Sequence, residues 1–441
     1  MNAKKAVVFE QAFDIAIEKA KSVAAEISNE LTLVRDLRGR IRIMLPGGRT
    51  NLSSEKKTRL EALAQELSES LGNYGFTADR MFLFANDLLQ GEDITNSPER
   101  LLLGGVEGCK VWLLDRQITG QDWLRGTLPR KTNNLRATFF GIKGGVGRST
   151  ALVIWGWHLA RQGKKVLIFD LDLESPGVSS TLLPADYMPD FGIVDWFVED
   201  GVGQAEVVER EMVTASPRTE GLVGDIRIVP AFGTKTGDYL PKLARCYADA
   251  PGNEPSSWSI RLGRLVSRFE ALEMPDITLL DSRAGIHDIA AAAVTRMGAQ
   301  SFLFAVDSPQ TWKAYGFLFN HWKQHPQLAS IREHLQIVDA MIPETGREEH
   351  LKRFREHSWD VFRDHLYDEA LPNNPDAFNF DLNDQSAPHY PWPIFWHRGL
   401  QEFDPIGSRD GLDEKMAAEA MGSFMDAAET LLTSAGKDEL A

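Results

Sequence analysis

The stretch from Thr138 to Ala151, Thr-Phe-Phe-Gly-Ile-Lys-Gly-Gly-Val-Gly-Arg-Ser-Thr-Ala, combines residue types that bind phosphate. An apolar run, Ala137 to Gly141, leads into Gly144, Gly145 and Gly147, then into the hydroxyl pair Ser149 and Thr150 and a helical pattern that starts at Ser149. Glycines let a backbone curl round an oxyanion with its N–H groups pointing inward, and the first turn of a helix adds unpaired donors and the positive end of the dipole. Ser149 stands where a hydroxyl ligates Mg²⁺. The order departs from Gly-x-x-x-x-Gly-Lys-[Ser/Thr]. Arg148 precedes the hydroxyl, and the loop's lysine comes earlier, at Lys143. Glycines alone suit an unliganded turn equally well.

Two later segments supply carboxylates. Lys165 to Asp170 reads as a buried strand, followed by Leu171 and Asp172. Ligands of open α/β sheets sit at the carboxyl ends of strands, which suits both aspartates, although an isolated Asp-x-Asp also suits a loop cap. Ile277-Thr-Leu-Leu-Asp281 is an apolar strand ending in aspartate, the arrangement that holds a magnesium-bound water.

The elements that must position these groups follow from the pattern. From residue 137 onward strands alternate with helices, which predicts an α/β fold, a parallel sheet flanked by helices, over 137–435. Residues 1–130 predict a smaller α+β domain. It holds an amphipathic helix over Ala6–Ile27, a hairpin of Leu31–Val34 with Ile41–Leu45, a helix carrying Leu60, Leu63, Ala64, Leu67 and Leu71 on one face, and strands at Met81–Ala85 and Val111–Leu114. Residues 131–136 read as the linker, within a polar, basic stretch. Asp115, Arg116 and Asp122 read as a surface turn with an ion pair. His334, His350, His357 and His365 lack the convergent spacing of a metal motif, so residues 344–383 read as a solvated helical insertion.

The composition is that of a globular protein. Cys109 and Cys246 are far apart, so no disulfide framework or zinc motif is expected, and a reducing, cytoplasmic setting is. No basic-plus-apolar leader opens the sequence, and no run of about 18 apolar residues spans a bilayer, so stable membrane insertion is not expected. Residues 1–136 carry 20 of the 48 Lys+Arg and 18 of the 63 Asp+Glu, leaving 28 against 45, about −17, for the rest. Such acidity disfavours sequence-independent DNA binding, which depends on neutralising phosphates.

Lys143-Gly144-Gly145-Val146-Gly147-Arg148-Ser149-Thr150 resembles the deviant Walker A loop of the ParA/MinD family of P-loop ATPases, in a Lys-Gly-Gly-Val-Gly-Arg variant. Asp170/Asp172 and Asp281 match the family's Asp-x-Asp and Walker B positions. Phe191–Trp196, Ala387–Ile394 and Phe403-Asp404-Pro405 match weaker motifs, and the resemblance covers roughly 137–435. It implies ATP and Mg²⁺ as cofactors and a slow hydrolase acting as an ATP-dependent homodimer that engages a partner protein. Lys143 would reach the phosphates of the other subunit, and Arg148 those of its own. Residues 144–150 would cradle the nucleotide, with Gly285 near the γ-phosphate. Asp172 would orient the attacking water, and Ser149, Asp170 and Asp281 would serve the metal. Arg148 in place of lysine leaves a non-hydrolysing ATP-sensing scaffold as the alternative, with a DNA-partition ATPase behind it. Arg283 stands where the family has a proline.

Overall fold

A computed structural model describes residues 7–89, 94–97, 100–106, 109–117, 121–125, 127–128, 134–248, 257–323, 327–369, 377–401 and 413–438. The chain divides into two compact units, Met1–Gln121 and Asp122–Ala441.

In the first unit, β1 (Glu30–Arg35) and β2 (Ile41–Leu45) form the expected antiparallel hairpin. With β3 (Phe82–Phe84), β4 (Leu101–Val106) and β5 (Cys109–Asp115) they build a five-stranded sheet in the order β3-β2-β1-β5-β4. Helix α1 (Phe9–Ile27) buries Ala12, Ala16 and Ala20, a small-residue stripe at helical spacing, while Val8 and Phe9 at its start are exposed. Helix α2 (Ser54–Ser70) is capped by Ser53, whose side chain accepts from the Lys56 N–H, and buries Leu60, Leu63, Ala64 and Leu67. Asp115 is not part of a surface turn. It ends β5 directly opposite Arg35, whose Nε donates to its Oδ1 at 2.8 Å.

The second unit is organised by an eight-stranded sheet. In chain order its strands are β6 (Leu135–Gly141), β7 (Lys165–Asp170), β8 (Thr214–Ala215), β9 (Asp225–Val229), β10 (Ile277–Asp281), β11 (Gln300–Ala305), β12 (Leu335–Ile342) and β13 (Trp392–Phe395). In space they run β13-β12-β11-β6-β10-β7-β9-β8, all neighbours parallel except the short β8 against β9. Helices cover both faces. α3 (Arg148–Arg161) and α8 (Glu414–Asp438) share one core with Phe139, Trp155, Phe302 and Phe424, α5 (Trp258–Glu273) packs the other with Phe169, Phe197 and Phe269, and α6 (Pro309–Trp322) buries Trp312, Tyr315, Phe319 and Trp322. β6 starts at Leu135, so Leu135 and Arg136 are strand rather than linker. Arg136 is buried in a fork with Glu270, at 2.6 and 2.7 Å. Residues 129–133 and the Phe403-Asp404-Pro405 motif lie outside the described residues. Asp122 belongs to this unit and is buried, accepting from Ser259 Oγ at 2.6 Å.

The expected helix within 344–383 is α7 (Arg347–His365), but its histidines are not merely solvated. His350 Nε2 lies 3.1 Å from Asp339 Oδ1 within β12, and His357 Nδ1 lies 2.8 Å from Asp307 Oδ1, so α7 is clamped to β12 and to the segment that follows β11. Burial pushes the Asp339 carboxyl up from 3.8 to about 6, against the His350 hydrogen bond, and that bond raises His350 above its ordinary value. Between those pH values the folded protein keeps a proton on Asp339 that the unfolded chain has released, so stability falls as pH rises through that window, by about 3 kcal/mol. His350 adds the same sign above pH 6.5, because its bound proton is lost as pH rises through its raised folded pKa. Urea unfolding of Asp339→Asn should therefore show a flatter stability profile between pH 4.5 and 8 than wild type. Parallel profiles would refute it. Among the described residues no helix is long and apolar enough to cross a membrane.

Candidate functional site

β6 ends at Gly141 and the glycine loop follows, directly at the carboxyl edge of the sheet between β10 and β11. Gly145 and Gly147 take φ of 72° and 76°, the left-handed region that a glycine enters without a Cβ penalty. Gly147 is the N-cap of α3, so the helix axis starts in the loop. Val146 turns into the core at 5% exposure and pins the loop to the sheet. Gly144 and Gly145 are exposed, and Lys143 is half-buried. Among the described residues, the N–H groups of Lys143 to Gly147 find no intramolecular acceptor. A turn built only to connect a strand to a helix has no need of so many free donors; an oxyanion at the loop would take them up.

The carboxylates converge on the same edge because β10 lies between β6 and β7. Asp281 ends β10 opposite both Phe139 and Asp170. Its Oδ2 accepts from Ser149 Oγ at 2.8 Å and its Oδ1 from Arg148 Nε at 3.0 Å. Arg148 Nη2 lies 3.3 Å from Asp172 Oδ2. Asp170 is fully buried; Ser179 N–H and Oγ bond its Oδ2 at 3.0 and 2.6 Å, while its Oδ1 has no partner. Burial first, and the Asp281 charge next, push the Asp170 carboxyl up to about 7. Burial also raises Asp281 and Asp172, against the attraction of Arg148. A surplus of buried acid beside a hydroxyl, held by one guanidinium, is a donor set that suits a hard divalent cation. Among the described residues no group of three or more His, Cys, Asp or Glu forms a metal cage by itself. Mg²⁺ keeps waters and phosphate oxygens as ligands and needs one or two protein groups.

The structure thus brings Ser149, Arg148, Asp172 and Asp281 into direct contact, with Thr150 in the first turn of α3 and Asp170 immediately behind. Gly285 is placed differently from the rest. Its N–H donates to the Gly141 carbonyl at 3.0 Å, so that amide is engaged within the protein. The segment is held further by an ion pair between Arg283 and Glu174, and Tyr247 also bonds Glu174, at 3.0 Å. Sequence reasoning missed Ser179 and Glu174. Neither sits in a recognisable spacing, and only the fold places Ser179 on Asp170 and Glu174 on Arg283. Asp195, in the Phe191–Trp196 motif, plays a structural part. It caps α4 (Ile193–Asp200) by accepting from Gly192 N–H at 2.9 Å, and accepts from Thr236 Oγ1 at 2.6 Å.

Solved structures that this chain resembles include ParA proteins and a MinD-containing complex. A MinC:MinD cell division complex from Aquifex aeolicus matches at 18% identity over 68% of this chain and 96% of that one, with a TM-score of 0.42. The pNOB8 ParA matches at 16% over 70% and 98%, with a TM-score of 0.39. A ParA family ATPase from Chlorobium tepidum matches at 15% over 51% and 80%, with a TM-score of 0.37. No family model and no curated protein matches the sequence. With similarity this distant, the functional reading stands on the loop and carboxylates of this chain. Two hollows lie away from the loop. One of about 830 Å³ lies in the first unit between α2 and β3, rimmed by charges of both signs. Another of about 630 Å³ lies near Arg136, at the opposite end of β6 from the loop.

Proposed function

We infer that the second unit binds ATP with Mg²⁺ at residues 143–150 and acts as a slow, nucleotide-controlled dimer switch that engages a partner protein in the cytoplasm. The observation that carries this reading is the glycine loop of free N–H donors at the end of β6, set against Ser149 and Asp281 at 2.8 Å. The loop amides from Gly144 to Thr150 receive the phosphates at the start of α3. Ser149 and Asp281 would hold the metal, with Asp170 behind them, and the chemistry it would supply there is the neutralisation of phosphate charge. Arg148 and Lys143 supply further positive charge, Lys143 to the nucleotide of a second copy. Asp172 orients the attacking water, and Gly285 responds to the γ-phosphate once its bond to Gly141 is exchanged. The catalytic rate follows from positioning and electrostatics rather than covalent chemistry.

One observation favours a second reading, an ATP-sensing scaffold that does not turn over: Asp172, the water-orienting carboxylate, is engaged by Arg148 at 3.3 Å. Light scattering with Mg²⁺ and ATP, with ADP and without nucleotide tests the switch, and phosphate release under the same conditions separates the two readings. Wild type should become a dimer with ATP only. Lys143→Ala should remain monomeric in all three conditions. ATP-dependent dimers of that variant would defeat the assignment of Lys143. The first unit has a closed core of its own and no assigned chemistry.

A further inference from the structure

The loop arginine is turned toward the carboxylates rather than toward the loop's centre. Its side chain is 8% exposed, with Nε on Asp281 and Nη2 on Asp172 at 3.0 and 3.3 Å, and Asp281 shares its other oxygen with Ser149. Three of the residues a metal or its waters would use are therefore committed to one another. A guanidinium can do this because it presents several N–H donors in a rigid plane and bridges two carboxylates at once; a lysine ammonium is a compact, strongly hydrated point charge. Lys143, the other cation of the loop, makes no ion pair or hydrogen bond among the described residues and leaves the aspartates to Arg148.

We propose that Arg148 is an internal counter-ion that shuts the divalent-cation position in the nucleotide-free protein, so that metal and nucleoside triphosphate enter together. This rests on the nucleotide reading above and concerns how that site is loaded. A bare divalent ion must compete with a resident guanidinium for Asp281 and Asp172, and it offers the displaced guanidinium no new acceptor. A triphosphate does offer one: phosphate oxygens pair with a guanidinium as well as carboxylates do. Exchange of Arg148 from carboxylate to phosphate then frees Asp281 Oδ1 and Asp172 Oδ2 together. By linkage, whatever nucleotide does for metal affinity, metal does equally for nucleotide affinity. The device also explains why the loop tolerates its arginine. Asp281, which is fully buried, and Asp172 need a positive neighbour, and Arg148 supplies it when the metal does not.

The test uses Mn²⁺, whose binding is read directly by electron paramagnetic resonance, in the full-length protein without nucleotide. Wild type should bind Mn²⁺ weakly, and Arg148→Gln should bind it about 10-fold more tightly or better, a change of about 1.4 kcal/mol. Arg148→Lys, which keeps the charge but cannot bridge both carboxylates, should lie between them and serves if the glutamine variant does not fold. Equal Mn²⁺ affinity in wild type and the folded variant overturns the proposal. A fluorescent ATP analogue titrated into wild type with and without EDTA tests the underlying reading separately. Binding there with equal Mn²⁺ affinities sinks the counter-ion role alone, and no binding there sinks the nucleotide site.

Discussion

A Gly147→Val variant will fold and fail to bind nucleoside triphosphate, its affinity lowered by about 100-fold or more, on the order of 3 kcal/mol. Gly147 holds φ 76° and ψ 12° at the N-cap of α3. An L-residue there costs roughly 1–2 kcal/mol, and a β-branched one is a genuine outlier. The chain can escape by rotating to negative φ, which swings the neighbouring peptide planes and turns the N–H groups of the loop away from a common centre. The core is spared because a Cβ at this position meets nothing within 4 Å. A fluorescent ATP analogue reads the affinity, and thermal unfolding checks that the melting temperature falls by only a few degrees. Gly144→Ala is the control: Gly144 has no positive φ and its Cβ also meets open space, so its effect should be much milder. Unchanged affinity in the valine variant would move the phosphate site away from this loop.

Glu270→Ala is expected to destabilise the second unit by about 3–5 kcal/mol, since removal of one partner strands the other's charge in the core. Arg136 is 4% exposed and Glu270 1%. Two nearly parallel bonds join them, Arg136 Nη1 donates to the Met297 carbonyl at 2.8 Å, and Thr278 Oγ1 donates to Glu270 Oε1 at 3.0 Å. The cluster ties β6 and β10, the two strands that carry the loop and Asp281, to α5 at the end opposite the site. Replacing both charges, Arg136→Met with Glu270→Leu, should cost far less than the single change, because no charge is left unpaired. Urea unfolding of the singles and the double measures the coupling. A single-variant cost below about 1 kcal/mol would mean that water reaches the guanidinium.

The residues that could bind phosphate and metal were legible because they sit within one short segment or at the ends of apolar runs. Strand, glycines, hydroxyl and helix are adjacent in the chain, so local geometry alone builds the loop. Asp170 and Asp281 stand at strand ends that hydrophobic patterning marks. The hairpin of β1 and β2, the helix within 344–383 and the parallel sheet came from the same short-range periodicities. Arg148 in the lysine position was visible too, as a departure from the common spacing.

What the chain does with those residues was not legible. Asp172 and Asp281 meet at Arg148, with Asp170 beside Asp281, because β10 is inserted between β6 and β7, a matter of strand order that no local pattern encodes. Strand order also puts Asp339 and Asp307 beside α7, where His350 is half-buried on Asp339 and the exposed His357 pairs with Asp307, and Asp115 opposite Arg35 rather than in a turn. Propensity and periodicity act over a few residues, so the loop, the carboxylate-bearing strands and the α/β class follow from local pattern. Which charges neutralise which depends on contacts between residues more than 100 positions apart, as with Arg148 and Asp281. Only the tertiary structure decided those, because a buried charge takes its partner from whatever the packed sheet sets within hydrogen-bonding reach.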